Sequence, residues 1–270
     1  MRVIRRNTTY ASRSDAFRLY ILADLHLGNR ECREDAVAQI VAEIAQDDHA
    51  YWMILGDCCD FINLRDPRRD VDELADWMLG REQMRDIGRA EVKRFLDIFA
   101  PIRHKCLAVL SGNHEESYVH HTEADVYSAL VEGLADENEH RLDHRGFVQW
   151  RFDRQGANHW TYSIYATHGS GSGQSAGAVR GRLKAMYDHV DGADLVLMGH
   201  YHQADHAQFS RYRPVGRKVA RVTANALAVP ALCEEMAYAD RKDYGPGAVG
   251  YGLVTIWPFR RRAEAQLKSV

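Results

Sequence analysis

Five short polar blocks carry most of the chemistry in this chain. They read Asp24-Leu25-His26, Gly56-Asp57-Cys58-Cys59-Asp60, Gly112-Asn113-His114-Glu115, Thr167-His168-Gly169 and Gly199-His200-Tyr201-His202. Carboxylate, imidazole and amide oxygen are donors that suit Mn²⁺, Fe or Zn²⁺. Asp24 and His26 stand two apart, as do His200 and His202. At a strand end each such pair points to one side and can reach one ion. Asp57 follows a glycine, where the chain leaves a sheet with its carboxylate exposed. Asp24, His26, Asp57, Asn113, His168, His200 and His202 together exceed what one ion needs. Two ions about 3.5–4 Å apart, bridged by a carboxylate and a hydroxide, fit that set. Such ions lower the pKa of bound water and offset the charge of a phosphate ester. The expected chemistry is hydrolysis at phosphorus.

Short apolar runs precede each block and must position it. They cover residues 18–22, 51–55, 107–110, 163–166 and 194–198. All read as strands, and in open α/β sheets ligands bind at the carboxyl ends of strands. Val37, Ile40, Val41 and Ile44 form an i, i+3, i+4, i+7 stripe, which predicts a helix over about 32–46. Strand, helix and strand in that length imply a parallel crossover. Residues 64–100 predict two helices, with Pro101 as a stop. Further helices are expected near 122–135 and 178–190, and strands near 147–152, 160–167, 218–228 and 250–257. Residues 1–16 read as an irregular polar arm, and the portion after 198 as antiparallel β.

In this order the blocks, D-x-H, G-D-x-x-D, G-N-H-E, H and G-H-x-H, resemble the calcineurin-like metallophosphoesterases. The likeness runs from about residue 18 to 203. D-x-H alone is common, G-N-H-E and G-H-x-H are stronger signals, and five blocks in this order at strand ends are specific. The resemblance implies an α/β fold in four α/β/β/α layers, two mixed β-sheets packed as a sandwich and flanked by helices. It also implies roles. Asp24, His26 and His202 hold a first ion, Asn113, His168 and His200 a second, and Asp57 bridges them. His114 sits beside the scissile phosphate and not on a metal, where it stabilises developing charge or protonates the leaving oxygen. Glu115 stands where the family commonly has Asp, and is expected to orient and charge the His114 imidazole. Asp60 is expected to orient a ligand or the backbone after Asp57.

The chain has 270 residues, 46% hydrophobic and 27% charged, with a net charge of −3. One domain over 1–270 is expected, with 64–100 as an insertion bordering the cleft. The near-balanced charge argues against a dedicated nucleic-acid binder. No signal peptide or membrane-spanning run is read, so the expected location is the cytoplasm. Five cysteines without framework spacing read as reduced thiols, Cys58 and Cys59 as packing residues. His120 and His121 read as a solvated pair. Gly171 and Gly173, in a Gly/Ser stretch before a helix, are candidates to cradle phosphate, and Arg180 to face an anionic substrate. A basic hairpin (Arg211, Arg213, Arg217, Lys218, Arg221) with Tyr212 is the one feature favouring a nuclease. The expected substrate is a phosphate ester of a nucleotide or small metabolite. A DNA or RNA nuclease and a non-catalytic binding scaffold are the alternatives.

Overall fold

A computed structural model describes residues 1–270 except 64, 65, 67, 136–138, 155–157, 172–174 and 235–246. Its strands form two sheets. A five-stranded sheet runs in the order β11 (Arg262–Ser269), β10 (Gly250–Trp257), β2 (Phe17–Leu22), β3 (Ala50–Ile54), β4 (Cys106–Val109). A six-stranded sheet runs β1 (Arg2–Thr9), β5 (Arg145–Arg154), β6 (Asn158–Thr167), β7 (Leu195–Met198), β9 (Lys218–Ala228), β8 (Asp205–Val215). Strand alternation divides each apolar run between two cores. Leu19 and Ile21 of β2 meet Val148, Trp150, Ile164 and Leu195 between the sheets. Their neighbours Tyr20 and Leu22 face outward, against α1 (Glu34–Gln46), α3 (Ile87–Phe99) and α5 (Val126–Leu134). Val196 and Met198 of β7 face α6 (Ala176–His189) on the other side. The four layers implied by the resemblance are therefore present.

α1 buries Val37, Ile40, Val41 and Ile44, the stripe read from the sequence. β2, β3 and β4 pair in parallel, so α1 and α3 are the crossover helices. α3 fills this role by burying Val92, Phe95 and Phe99. Much of 64–100 is thus structural, α2 (Arg81–Arg85) and α3 included, while Arg68, held by Asp66, reaches His114.

Four elements differ from expectation. Residues 2–9 are not an arm: β1 pairs in parallel with β5, and its one fully covered position, Ile4, gives little apolar signal. Helix α4 (Asn113–Thr122) begins within the third block, its sequence too polar to show a stripe. β9 pairs in parallel with β7 although it is antiparallel to β8. The arginines at 260–262 lead into β11, which completes the sheet edge beside β10.

Candidate metal centre

β2, β3, β4, β6 and β7 all end at one rim, and the five blocks leave from those ends. The ligand candidates do not lie in the strands themselves. Asp24, His26, Asp57, His200 and His202 take φ values of 51°, 48°, 48°, 71° and 51°. Each such left-handed residue other than glycine costs on the order of 1–3 kcal/mol and persists only where its surroundings impose it. The i, i+2 pairs therefore converge through tight left-handed bends rather than through strand alternation.

Hydrogen bonds between blocks impose those bends. Asp24 N donates to Gly56 O at 3.2 Å, and His26 N to Asp57 O at 3.2 Å. His200 N donates to Asp24 Oδ2 at 2.9 Å, and His114 N to Asp57 Oδ1 at 2.9 Å. Gly56 and Gly112 permit the close approach: a Cβ on Gly56 would lie 2.7 Å from Gly112 N, and one on Gly112 would overlap the Asp57 carboxylate.

The side chains gather into three-membered groups whose donor atoms lie within 4.8 Å of one another: Asp24, His26 and His202; Asp57, His168 and His200; and His26, Asp57 and His114. Asp57 Oδ2 stands between them, 3.4 Å from His168 Nε2 and 4.0 Å from His26 Nε2. His168 Nε2 is 3.0 Å from Asn113 Oδ1, so Asn113 joins the second group. His202 Nε2 is 3.7 Å from Asp24 Oδ1.

The polar atoms of this cluster fit a cation. His168 donates Nδ1–H to Leu55 O at 2.8 Å, which leaves Nε2 as the nitrogen that faces the Asn113 oxygen. His26 Nε2 and His202 Nε2 face each other at 3.4 Å. Nitrogen and oxygen atoms facing one another in a buried pocket need a proton or a metal ion between them. Burial weakens the proton affinity of His168, yet Asp57 and Asp24 overcome it and push its pKa up to about 10. Burial likewise opposes ionisation of Asp57, yet His168 and His114 hold it well below the usual carboxylate range. These are buried His/Asp groups able to bind a metal ion.

His114 belongs to the same cleft but is engaged differently. It is buried, donates Nδ1–H to Asp60 O at 2.5 Å, and accepts at Nε2 from Arg68 Nη1 at 3.0 Å. A guanidinium against Nε2 disfavours a metal there, so the imidazole is set apart from the ligands. Burial lowers its pKa to about 4, with neighbouring His26 and Arg68 adding to the effect, so it rests neutral. Asp60 Oδ1 lies 3.6 Å from His26 Nδ1 and 3.7 Å from His114 Nδ1, between a ligand candidate and the cleft histidine.

Glu115 does something other than charge the imidazole. Its carboxylate accepts from Asp57 N at 3.1 Å, Cys58 N at 2.8 Å and Gly112 N at 2.8 Å. It ties the second block to the third, and the Asp60 carbonyl orients His114 instead. Burial, with Asp57 adding to it, raises the Glu115 pKa to about 7.

The candidate substrate contacts fare unevenly. Gly171 directs its carbonyl at His200 Nε2, 3.1 Å away, which fixes that ring. Gly173 lies outside the described residues. Arg180 is bound to Asp205 on β8 and so faces a carboxylate of this chain. Beside His168 and His200 a groove of about 500 Å³ opens between Thr167, Gly169, Tyr201, Arg182 and Met186. Cys58 and Cys59 are fully buried, and burial raises both thiols well above their usual range, which suits packing. His121 bonds back to Ser117 O at 2.8 Å within α4. Sequence reasoning misses Arg68 and Asp66; their only signal is a D-x-R spacing inside a charged stretch.

No family model matches the sequence, and no curated protein matches it. Solved structures similar to the chain include a metallophosphoesterase from Sphaerobacter thermophilus (13% identity, 94% of this chain and 89% of that one, TM-score 0.42). They also include the NAD nucleotidase of Haemophilus influenzae (9% identity, 95% of this chain, TM-score 0.44), of which the chain spans 50%. A third is the nuclease MPE of Pseudomonas putida (15% identity, 92% of this chain and 87% of that one, TM-score 0.33). At such identities and TM-scores, the functional reading rests on the side chains above.

Proposed function

We propose that residues 1–270 form one domain that hydrolyses a phosphate ester with the help of two metal ions. The observation that carries this reading is the Asp57 carboxylate, set between two groups of side chains able to hold a metal ion. Asp24, His26 and His202 would hold one ion; Asn113, His168 and His200 the other; Asp57 would serve both. Mn²⁺, Fe and Zn²⁺ all suit these donors. When bound, the ions supply Lewis acidity, offsetting the phosphate charge and acidifying a water for in-line attack on phosphorus.

The remaining steps belong to the chain. The left-handed bends and the Glu115 crosslinks hold the donors in place before substrate arrives, so little reorganisation accompanies reaction. The Asp60 carbonyl fixes the His114 tautomer, so Nε2 is the nitrogen that exchanges a proton at the cleft. A phosphate oxyanion beside it raises its proton affinity. As substrate binds, Nε2 takes a proton from solvent water and passes it to the leaving alkoxide, and His114 returns to its neutral resting form.

The test is metal uptake followed by turnover. Protein stripped with chelator and reloaded with Mn²⁺, Zn²⁺ or Fe²⁺ should bind metal by elemental analysis and hydrolyse nitrophenyl or bis-nitrophenyl phosphate. Protein that takes up none of these ions, or takes them up and stays inert, leaves the scaffold alternative standing. The nuclease alternative has less support, because the basic hairpin is remote from the site. β7 and β9 run in parallel with Met198 opposite Ala228, so the turn at 216–217 lies at the far end of β9.

A further inference from the structure

Arg68 stands against the cleft nitrogen of His114. Its guanidinium is held from one side by Asp66, which is buried: Nε reaches Oδ1 at 3.0 Å and Nη2 reaches Oδ2 at 2.7 Å. Asp66 Oδ1 also accepts from the Arg68 backbone N at 2.9 Å, which closes the turn around the side chain. Ser117 Oγ of α4 lies 3.4 Å from both partners. The remaining end of the fork, Nη1, points into the cleft and donates to His114 Nε2 at 3.0 Å.

Two features make this more than a surface ion pair. The carboxylate edge is spent on Nε and Nη2, so Nη1 is left as a fixed cationic donor beside His114. Nη1 also occupies the one nitrogen through which His114 can serve a leaving group. The contact must therefore open when substrate enters, and the oxygen that displaces it meets a guanidinium already oriented.

We propose that Arg68 is a substrate-binding residue that recognises a terminal phosphate and favours phosphomonoesters over diesters. A monoester has three non-bridging oxygens and two negative charges, a diester two oxygens and one charge. A fixed cationic donor is worth more to the former. This deepens the phosphoesterase reading and rests on it. It also gives a role to the clamp of Asp66 and Arg68 beside Ser117 of α4.

The experiment compares wild type with Arg68→Ala, Arg68→Lys and Asp66→Asn, each loaded with Mn²⁺ and checked for metal content and thermal stability. In Arg68→Ala the KM for nitrophenyl phosphate should rise about 10- to 100-fold, the weight of one charge-assisted hydrogen bond. The KM for bis-nitrophenyl phosphate should rise less than about threefold. Titration calorimetry with inorganic phosphate should show the same loss of affinity as the monoester. Arg68→Lys should recover part of it, since charge returns without the planar fork. Asp66→Asn should loosen the clamp and shift KM in the same direction by less. An Arg68→Ala protein whose monoester KM and phosphate affinity stay within twofold of wild type overturns the proposal, as does equal loss on both esters. A wild-type protein inert with every metal overturns the underlying reading instead, so the two failures are told apart.

Discussion

The two ends of the six-stranded sheet treat charge in opposite ways. At the rim where β6 and β7 finish, Asp24, Asp57, His26 and His168 are buried, on or beside strained backbone. At the far end, the turn between β8 and β9 carries Arg213, Arg217, Lys218 and Arg221 in the open, with Tyr212 80% exposed. Of that basic group Arg211 folds back, onto Val190 O at 2.7 Å and over the Tyr187 ring. The two regions are comparably polar in sequence. What separates them is cost: buried charge and left-handed backbone are retained against a penalty, whereas exposed arginines are solvated at almost none. Nine described residues other than glycine have positive φ, and five of them are ligand candidates.

Breaking the costly end should have the largest effect. Asp57→Asn should release metal and lower turnover by about 10³-fold or more, the several kcal/mol that bound ions contribute. Elemental analysis with kinetics checks both; a variant that keeps its metal and its rate contradicts the bridging role. Next in size, His114→Asn should keep its metal and lose about 10²–10⁴-fold on an unactivated ester. On a nitrophenyl ester the loss should be much smaller, because that leaving group needs little protonation. An equal loss on both esters would assign His114 to binding instead.

A smaller effect concerns a carboxylate just behind the site. Glu91 is 1% exposed, accepts from Phe61 N at 2.8 Å, and has its pKa raised well above 4.5 by burial, with Asp60 adding to it. A raised folded pKa means the stabilisation from its proton is full below about pH 4.5 and fades as pH rises toward the folded value. Glu91→Gln keeps the acceptor and removes the ionisation. Chemical denaturation should find it roughly 1–3 kcal/mol more stable than wild type at pH 8, with little difference at pH 4.5. A gain equal at both pH values would show that ionisation is not the cause.

The smallest effect belongs to the far end. Arg213→Ala with Arg221→Ala should change stability by less than about 0.5 kcal/mol and leave turnover of a small ester unaltered. A marked fall in that turnover would mean that the two ends communicate. Loss of cleavage of DNA alone would revive the nuclease alternative.

Particular residues show what could be read early and what could not. α1 was legible because its stripe buries one face against one sheet. β1 was not, because an edge strand covers only Ile4 and reads as an arm. α4 was hidden because its start serves the site: Asn113, His114 and Glu115 are chosen for the cleft and the interblock ties rather than for a helix stripe. The five blocks of ligand candidates stood out by type and order. The role of Glu115 did not, since three backbone N–H groups leave no trace in the side-chain sequence.

Donor chemistry and apolar periodicity are local, so the sequence by itself determined the donor set, the strands that present it and the class of reaction to expect. Which groups share an atom's neighbourhood depends on distances between segments far apart in the chain. Only the tertiary structure placed Asp57 between two sets of imidazoles, turned Glu115 onto the backbone, and brought Arg68, 46 residues away, onto His114.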